Sequence, residues 1–77
     1  MGVKSYVLTN VSMGEVSNTL EELKAFPEVK SAVAITGPYD IVAVVEAEDV
    51  SSLGQLVTRN IQGIKGVRRT ITCIVIE

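Results

Sequence analysis

Two apolar, β-branched runs, 29–36 and 39–47, are joined only through Gly37 and Pro38. A connection this short cannot hold a crossover helix, so the two runs must form an antiparallel hairpin. That hairpin lies mid-chain, and each side of it reads as one strand and one helix. Residues 3–11 are β-branched and aromatic with no glycine or proline, which predicts a first strand. Ser12-Met13-Gly14-Glu15 has the spacing of a capping box and predicts a helix start there. Val16, Leu20 and Leu23 recur at helical spacing opposite Glu21, Glu22 and Lys24, and Pro27 ends the pattern. After the hairpin, Asp49 is placed to cap a second helix carrying Val50, Leu53, Leu56, Val57, Ile61 and Ile64 on one side, with Gly63 and Gly66 as stops. Residues 67–76 predict a fourth strand. The order is βαββαβ, an α+β ferredoxin-like sandwich with a four-stranded antiparallel sheet, expected as a single domain over 1–77.

Packing both helices on one face leaves the other face of the sheet uncovered. A water-facing sheet alternates apolar with polar, but Ile41-Val42-Ala43-Val44-Val45 is apolar on both faces and Cys73-Ile74-Val75-Ile76 closes the chain in the same way. A chain of 77 residues buries too little surface to be more than marginally stable alone. One cysteine and no histidine remove the intrachain disulfide and the usual soft metal ligands, so neither a metal nor another cofactor is expected. Self-association is what remains, and the expectation is at least a homodimer packed sheet on sheet.

Seven basic against nine acidic residues give a net charge of -2 with no polybasic run, which argues against direct contact with nucleic acid. The apolar runs fall well short of the ~20 residues that cross a bilayer. The N-terminus has no long apolar stretch of the signal-peptide kind, so the expected location is the cytoplasm, away from membranes.

No nucleophile and base can be assembled without histidine, and Cys73 within an apolar run reads as an inert core thiol. The chain is therefore expected not to be an enzyme. The paired carboxylates Glu21-Glu22 and Glu48-Asp49 fall on helix faces or starts, where solvated charge is ordinary. Thr36-Gly37-Pro38-Tyr39-Asp40 is the most informative segment. Spacing alone favours plain turn chemistry, with Asp40 accepting from its own loop amides. The alternative is a site for a zwitterion, its carboxylate on loop amides and its ammonium on Asp40. Thr70 and Thr72 share one face of the last strand with Arg68, while Arg69 takes the opposite face. Taken alone, ordinary β-propensity is the favoured account of the threonines.

The chain resembles, over nearly its whole length, the effector-binding RAM domain of the Lrp/AsnC family. Tyr6-Val7-Leu8-Thr9-Asn10-Val11, Thr36-Gly37-Pro38-Tyr39-Asp40-Ile41 and Thr70-Ile71-Thr72 carry the likeness, and the central Gly-x-Tyr-Asp before an apolar strand is its most specific part. The resemblance implies dimers closing into a dimeric α/β barrel, rings of dimers, and an amino acid effector held where dimers meet. It assigns Gly37, Pro38, Tyr39 and Asp40 to the ligand loop and Thr70 and Thr72 to the facing strand. Met13-Gly14 stands where the family usually has Pro-Gly. Family regulators also begin with a helix-turn-helix domain, for which this chain has no residues. A stand-alone module is therefore expected, with full-length regulators of the family as possible co-assembly partners.

Other small barrels of this shape include monooxygenases and isomerases, which need titratable groups where this chain has aliphatics. The ACT domain binds amino acids with the same element order, but its ligand glycine follows the first strand. RNA-binding relatives need more exposed aromatics than Tyr6, Phe26 and Tyr39 supply. Metal carriers need a Cys-x-x-Cys pair, which is absent.

Overall fold

The computed structural model describes residues 2–77, so the first residue of the expected 1–77 unit lies outside it. The elements run β1 (Val3–Val11), α1 (Val16–Lys24), β2 (Val29–Ala34), β3 (Ile41–Ala47), α2 (Val50–Gln55) continuing into a π-helical segment (Leu56–Ile61), and β4 (Val67–Ile74). The sheet order is β2-β3-β1-β4, with every neighbouring pair antiparallel. This is the expected ferredoxin-like βαββαβ arrangement.

Strand alternation divides the sheet into two chemically different faces. Ser5, Val7, Thr9 and Val11 of β1 and Ile41, Ala43 and Val45 of β3 are buried beneath the helices. Leu23 of α1, Leu53 of α2 and Ile61 of the π segment close over them, and all three are essentially inaccessible. On the opposite face Leu8 pairs with Val42 on one side and Ile71 on the other, Tyr6 pairs with Val44 and Cys73, and Val33 pairs with Val42. These residues form a continuous apolar surface on which Tyr6 is 41% and Val33 53% exposed.

Three local readings need correction. Ser12 and Glu15 do not form a capping box. The Glu15 N–H donates to the Ser12 carbonyl at 3.0 Å, Gly14 takes φ +87°, and the helix begins only at Val16 without a side-chain cap. A positive φ at the third residue of a hydrogen-bonded turn marks type II geometry, and that turn uses the spacing which sequence alone assigns to a cap. Met13 is then the second residue of the turn, fully exposed, where proline's fixed φ is favoured. Met13→Pro should therefore stabilise the domain by about 0.5–1 kcal/mol through the unfolded state, measured as a shift in urea midpoint at constant m-value.

The second helix is also not one continuous α-helix. The Gln62 N–H reaches back five residues to the Val57 carbonyl at 2.9 Å, closing a π turn. Asp49 does cap the start, accepting from the Ser52 N–H at 2.7 Å. That backbone hydrogen bond, assisted by the Ser52 side chain, lowers the Asp49 pKa from its ordinary value. Finally, Cys73 is exposed rather than buried in the core. It lies on edge strand β4 and, by its pairing with Tyr6, on the face away from the helices.

Candidate functional site

The Gly37-Pro38 loop folds back and is fastened to the end of β1. The Asp40 N–H donates to the Thr9 carbonyl at 3.0 Å, and the Ile35 N–H donates to the Asp40 carbonyl at 2.8 Å. The Val11 N–H donates to Asp40 Oδ2 at 2.8 Å, and the Asn10 side-chain amide donates to the Pro38 carbonyl at 2.8 Å. Gly37 takes φ +148°, a conformation that L side chains rarely adopt, and so lets the loop return to β1. The loop is held in place from both the backbone and the side chains.

The strand opposite changes register at the same point. Asn10 pairs with Arg69 but Val11 pairs with Val67, which leaves Arg68 as the extra residue of a bulge. Regular alternation would send Arg68 and Arg69 to opposite faces, as the sequence spacing implies. The bulge bends the strand, and both arginines instead line one cleft of about 420 Å³ with Asn10, Val11 and Asp40. A second cleft of about 380 Å³ shares the two arginines and adds Gln62, Val67 and Thr70. Gln62 Nε2 donates to Thr70 Oγ1 at 2.9 Å across it.

A larger cleft of about 570 Å³ lies at the other end of the sheet, lined by Glu28, Lys30, Glu46 and Glu48 among others. Its lining carries three acidic residues against one lysine. The loop end, where Asn10, Asp40, Arg68 and Arg69 line one cleft, is the better match to a small zwitterion.

The model of the family described as Lrp/AsnC ligand binding domain matches residues 5–77. The chain belongs to that family. The structure of the Thermus thermophilus protein TTHA0845 superposes on this Lrp/AsnC domain with TM-score 0.93 at 33% identity, covering 97% of this chain and 94% of that one. E. coli AsnC superposes with TM-score 0.92 at 26% identity, covering 97% of this chain and 51% of AsnC. The homocitrate synthase of Sulfurisphaera tokodaii is 42% identical over 55 residues, which is 71% of this chain but 12% of the enzyme. The domain thus spans about an eighth of that enzyme's length, and the shared segment says nothing of catalysis. The family assignment and the AsnC fold make this chain a regulatory, effector-binding type of module.

Within the Lrp/AsnC domain, the residues picked out by sequence are unequally placed. Asp40 lines the cleft directly, whereas Pro38 contributes through its carbonyl, engaged by Asn10. Gly37 shapes the loop and Tyr39 is half-buried beside it. Thr70 lines the adjoining cleft with its hydroxyl on Gln62. Thr72, two residues further along and exposed, lines neither cleft. Asn10 was missed by sequence reasoning, and a polar side chain at the end of an otherwise apolar strand was its only signal. Among the described residues, no group of three histidine, cysteine or acidic side chains is placed to hold a metal, and no helix is long and apolar enough to cross a membrane.

Proposed function

We propose that this domain senses a free amino acid in the cleft at Asp40 and, as a non-catalytic module of the cytoplasm acting as one unit over 1–77, reports occupancy through its assembly with other copies. The observation that carries this reading is the Asp40 carboxylate, which has one oxygen fixed by the Val11 amide and stands in a cleft with two arginines. Its other oxygen suits an ammonium, and the guanidiniums suit a carboxylate. Gly37, Pro38 and Tyr39 would shape the loop side of the pocket, Thr70 would extend it along β4, and Thr72 would complete it from a neighbouring copy.

The assembly would begin with a homodimer in which the apolar sheet faces of Tyr6, Leu8, Val42 and Val44 meet as a dimeric α/β barrel. Rings of such dimers would bring loop ends together. Full-length Lrp/AsnC regulators are the proposed partners, since AsnC carries this fold in half of its chain. The homocitrate synthase likeness favours a second reading, in which a domain of this kind serves a biosynthetic enzyme in the same way.

The test is a thermal-shift screen of the twenty amino acids against the wild type, Asp40→Ala and Asp40→Asn. A ligand at 100 times its Kd adds about 2.7 kcal/mol, which moves the midpoint of so small a domain by roughly 10 °C or more. Asp40→Ala removes the acceptor of the part-buried Val11 amide as well as the charge, so it should lose about 1–3 kcal/mol of stability along with binding. Asp40→Asn retains an acceptor oxygen and should fold nearly as well, yet lose the ligand shift. A full shift in Asp40→Asn removes the site at Asp40, and no shift in the wild type removes the amino-acid reading.

A further inference from the structure

The charge balance of the loop-end cleft points to more than a generic amino acid. Arg68 and Arg69 both line the cleft, although a regular strand would separate them. They do so because the register shift between Asn10 and Val11 leaves Arg68 as a bulge. No side-chain hydrogen bond among the described residues engages either guanidinium. The single carboxylate lining the cleft, Asp40, already has one oxygen on the Val11 amide. The lining therefore carries two positive groups against one negative, on a chain whose net charge is -2. A neutral amino acid, with one carboxylate and one ammonium, satisfies only one of the two arginines. The second guanidinium would then stand beside the bound ligand with no anionic partner, a place that a further carboxylate on the ligand would fill with a charge-assisted hydrogen bond.

Resting on the amino-acid reading above, we propose that the cleft selects an amino acid with a carboxylate side chain. One guanidinium meets the α-carboxylate, the other meets the side-chain carboxylate, and Asp40 holds the ammonium. The ligand's net single negative charge matches the net single positive charge of the lining. Guanidiniums recognise carboxylates through paired, planar hydrogen bonds, so the site distinguishes a carboxylate from the amide of the same shape. The clamped loop supports this selectivity because Asp40 and Asn10 are already fixed by the Thr9, Val11 and Pro38 bonds. Arg68 and Arg69 act as specificity-determining residues.

Isothermal titration of the full chain with L-glutamate, L-aspartate, L-glutamine, L-asparagine, L-leucine, 2-oxoglutarate and inorganic phosphate tests the proposal, repeated on Arg68→Gln, Arg69→Gln and Arg69→Lys. One of the two acidic amino acids should bind at least about tenfold more tightly than its own amide, the minimum loss for a charged hydrogen bond left unmade. That preference should fall towards parity in each Gln variant and be partly kept in Arg69→Lys. 2-Oxoglutarate, which has both carboxylates but no ammonium for Asp40, should bind more weakly than glutamate. A neutral amino acid bound best, with unchanged affinity in the arginine variants, overturns the acidic selectivity and leaves the amino-acid reading standing. Phosphate competing as well as the acidic amino acid shows an unselective anion patch and also overturns it. Binding by none of the amino acids overturns both readings. Both arginines are exposed and outside the core, so circular dichroism should show every variant folded.

Discussion

Val44→Asp should abolish the proposed dimer and leave a monomer at micromolar concentration. Val44 lies at the middle of β3 on the face away from the helices, with Tyr6 of β1 opposite it on one side and Ser31 of β2 on the other. In a sheet-on-sheet dimer each such position is buried against the partner, and symmetry brings in two carboxylates at once. An unpaired buried charge costs about 3–5 kcal/mol, so the dimer dissociation constant should rise by roughly a thousandfold. Val44→Thr keeps the shape with a neutral hydroxyl and should leave a dimer at the same concentration. Light scattering and sedimentation read the outcome directly. A monomeric wild type, or a dimeric Val44→Asp, would remove the proposed interface.

Leu23→Ala should have the largest effect on folding of any truncation in α1. Leu23 is completely buried, and α1 lies on β2 and β3 with Leu23 and Thr19 as its two buried residues. Removing a buried leucine side chain in a core that cannot collapse costs about 2.7–5 kcal/mol. The whole stability of a domain this size is about 4–12 kcal/mol at typical per-residue values. Urea unfolding of Leu23→Ala should therefore show a midpoint reduced by roughly a fifth or more at unchanged m-value. Leu20→Ala, only half-buried one turn earlier, should cost clearly less. Equal losses at the two positions would contradict the packing described above.

Much of the fold was legible because it rests on pattern. The short connection around Gly37 and Pro38 decided the hairpin, although β2 ends at Ala34 and β3 begins only at Ile41, and the unbroken apolar run of β3 marked a sheet with apolar residues on both faces. The errors fall where one pattern serves two structures. Ser12-x-x-Glu15 suits a cap, but Gly14 can adopt the positive φ of a turn, and the turn wins. Leu56, Val57, Ile61 and Ile64 are consistent with an ordinary helix, and the six-residue π segment shifts the apolar stripe too little to register in so short an element. Thr19 is buried within α1 although its residue type gives no hint of it.

The site was less legible than the fold. Asp40 could be singled out within its loop, but its partner Val11 is 29 positions away and is joined to it through a backbone amide, which leaves no trace in residue identity. Arg68 and Arg69 share a cleft only because of a bulge, and no residue type announces that bulge. Asn10, whose side chain fastens Pro38, stands 28 positions from its acceptor.

The fastening of the hairpin to β1 bears on how a signal would leave the site. A loop already tied by four hydrogen bonds has little disorder to lose when a ligand arrives, so folding of the loop is a poor messenger. Occupancy would instead have to be felt as a change in how well two rigid surfaces fit each other. A relay of that kind is switched by the ligand's different affinity for two arrangements of whole domains. Its sensitivity is then set by the contacts between copies, and tuning the response would mean altering the surface around the cleft while leaving the loop as it is.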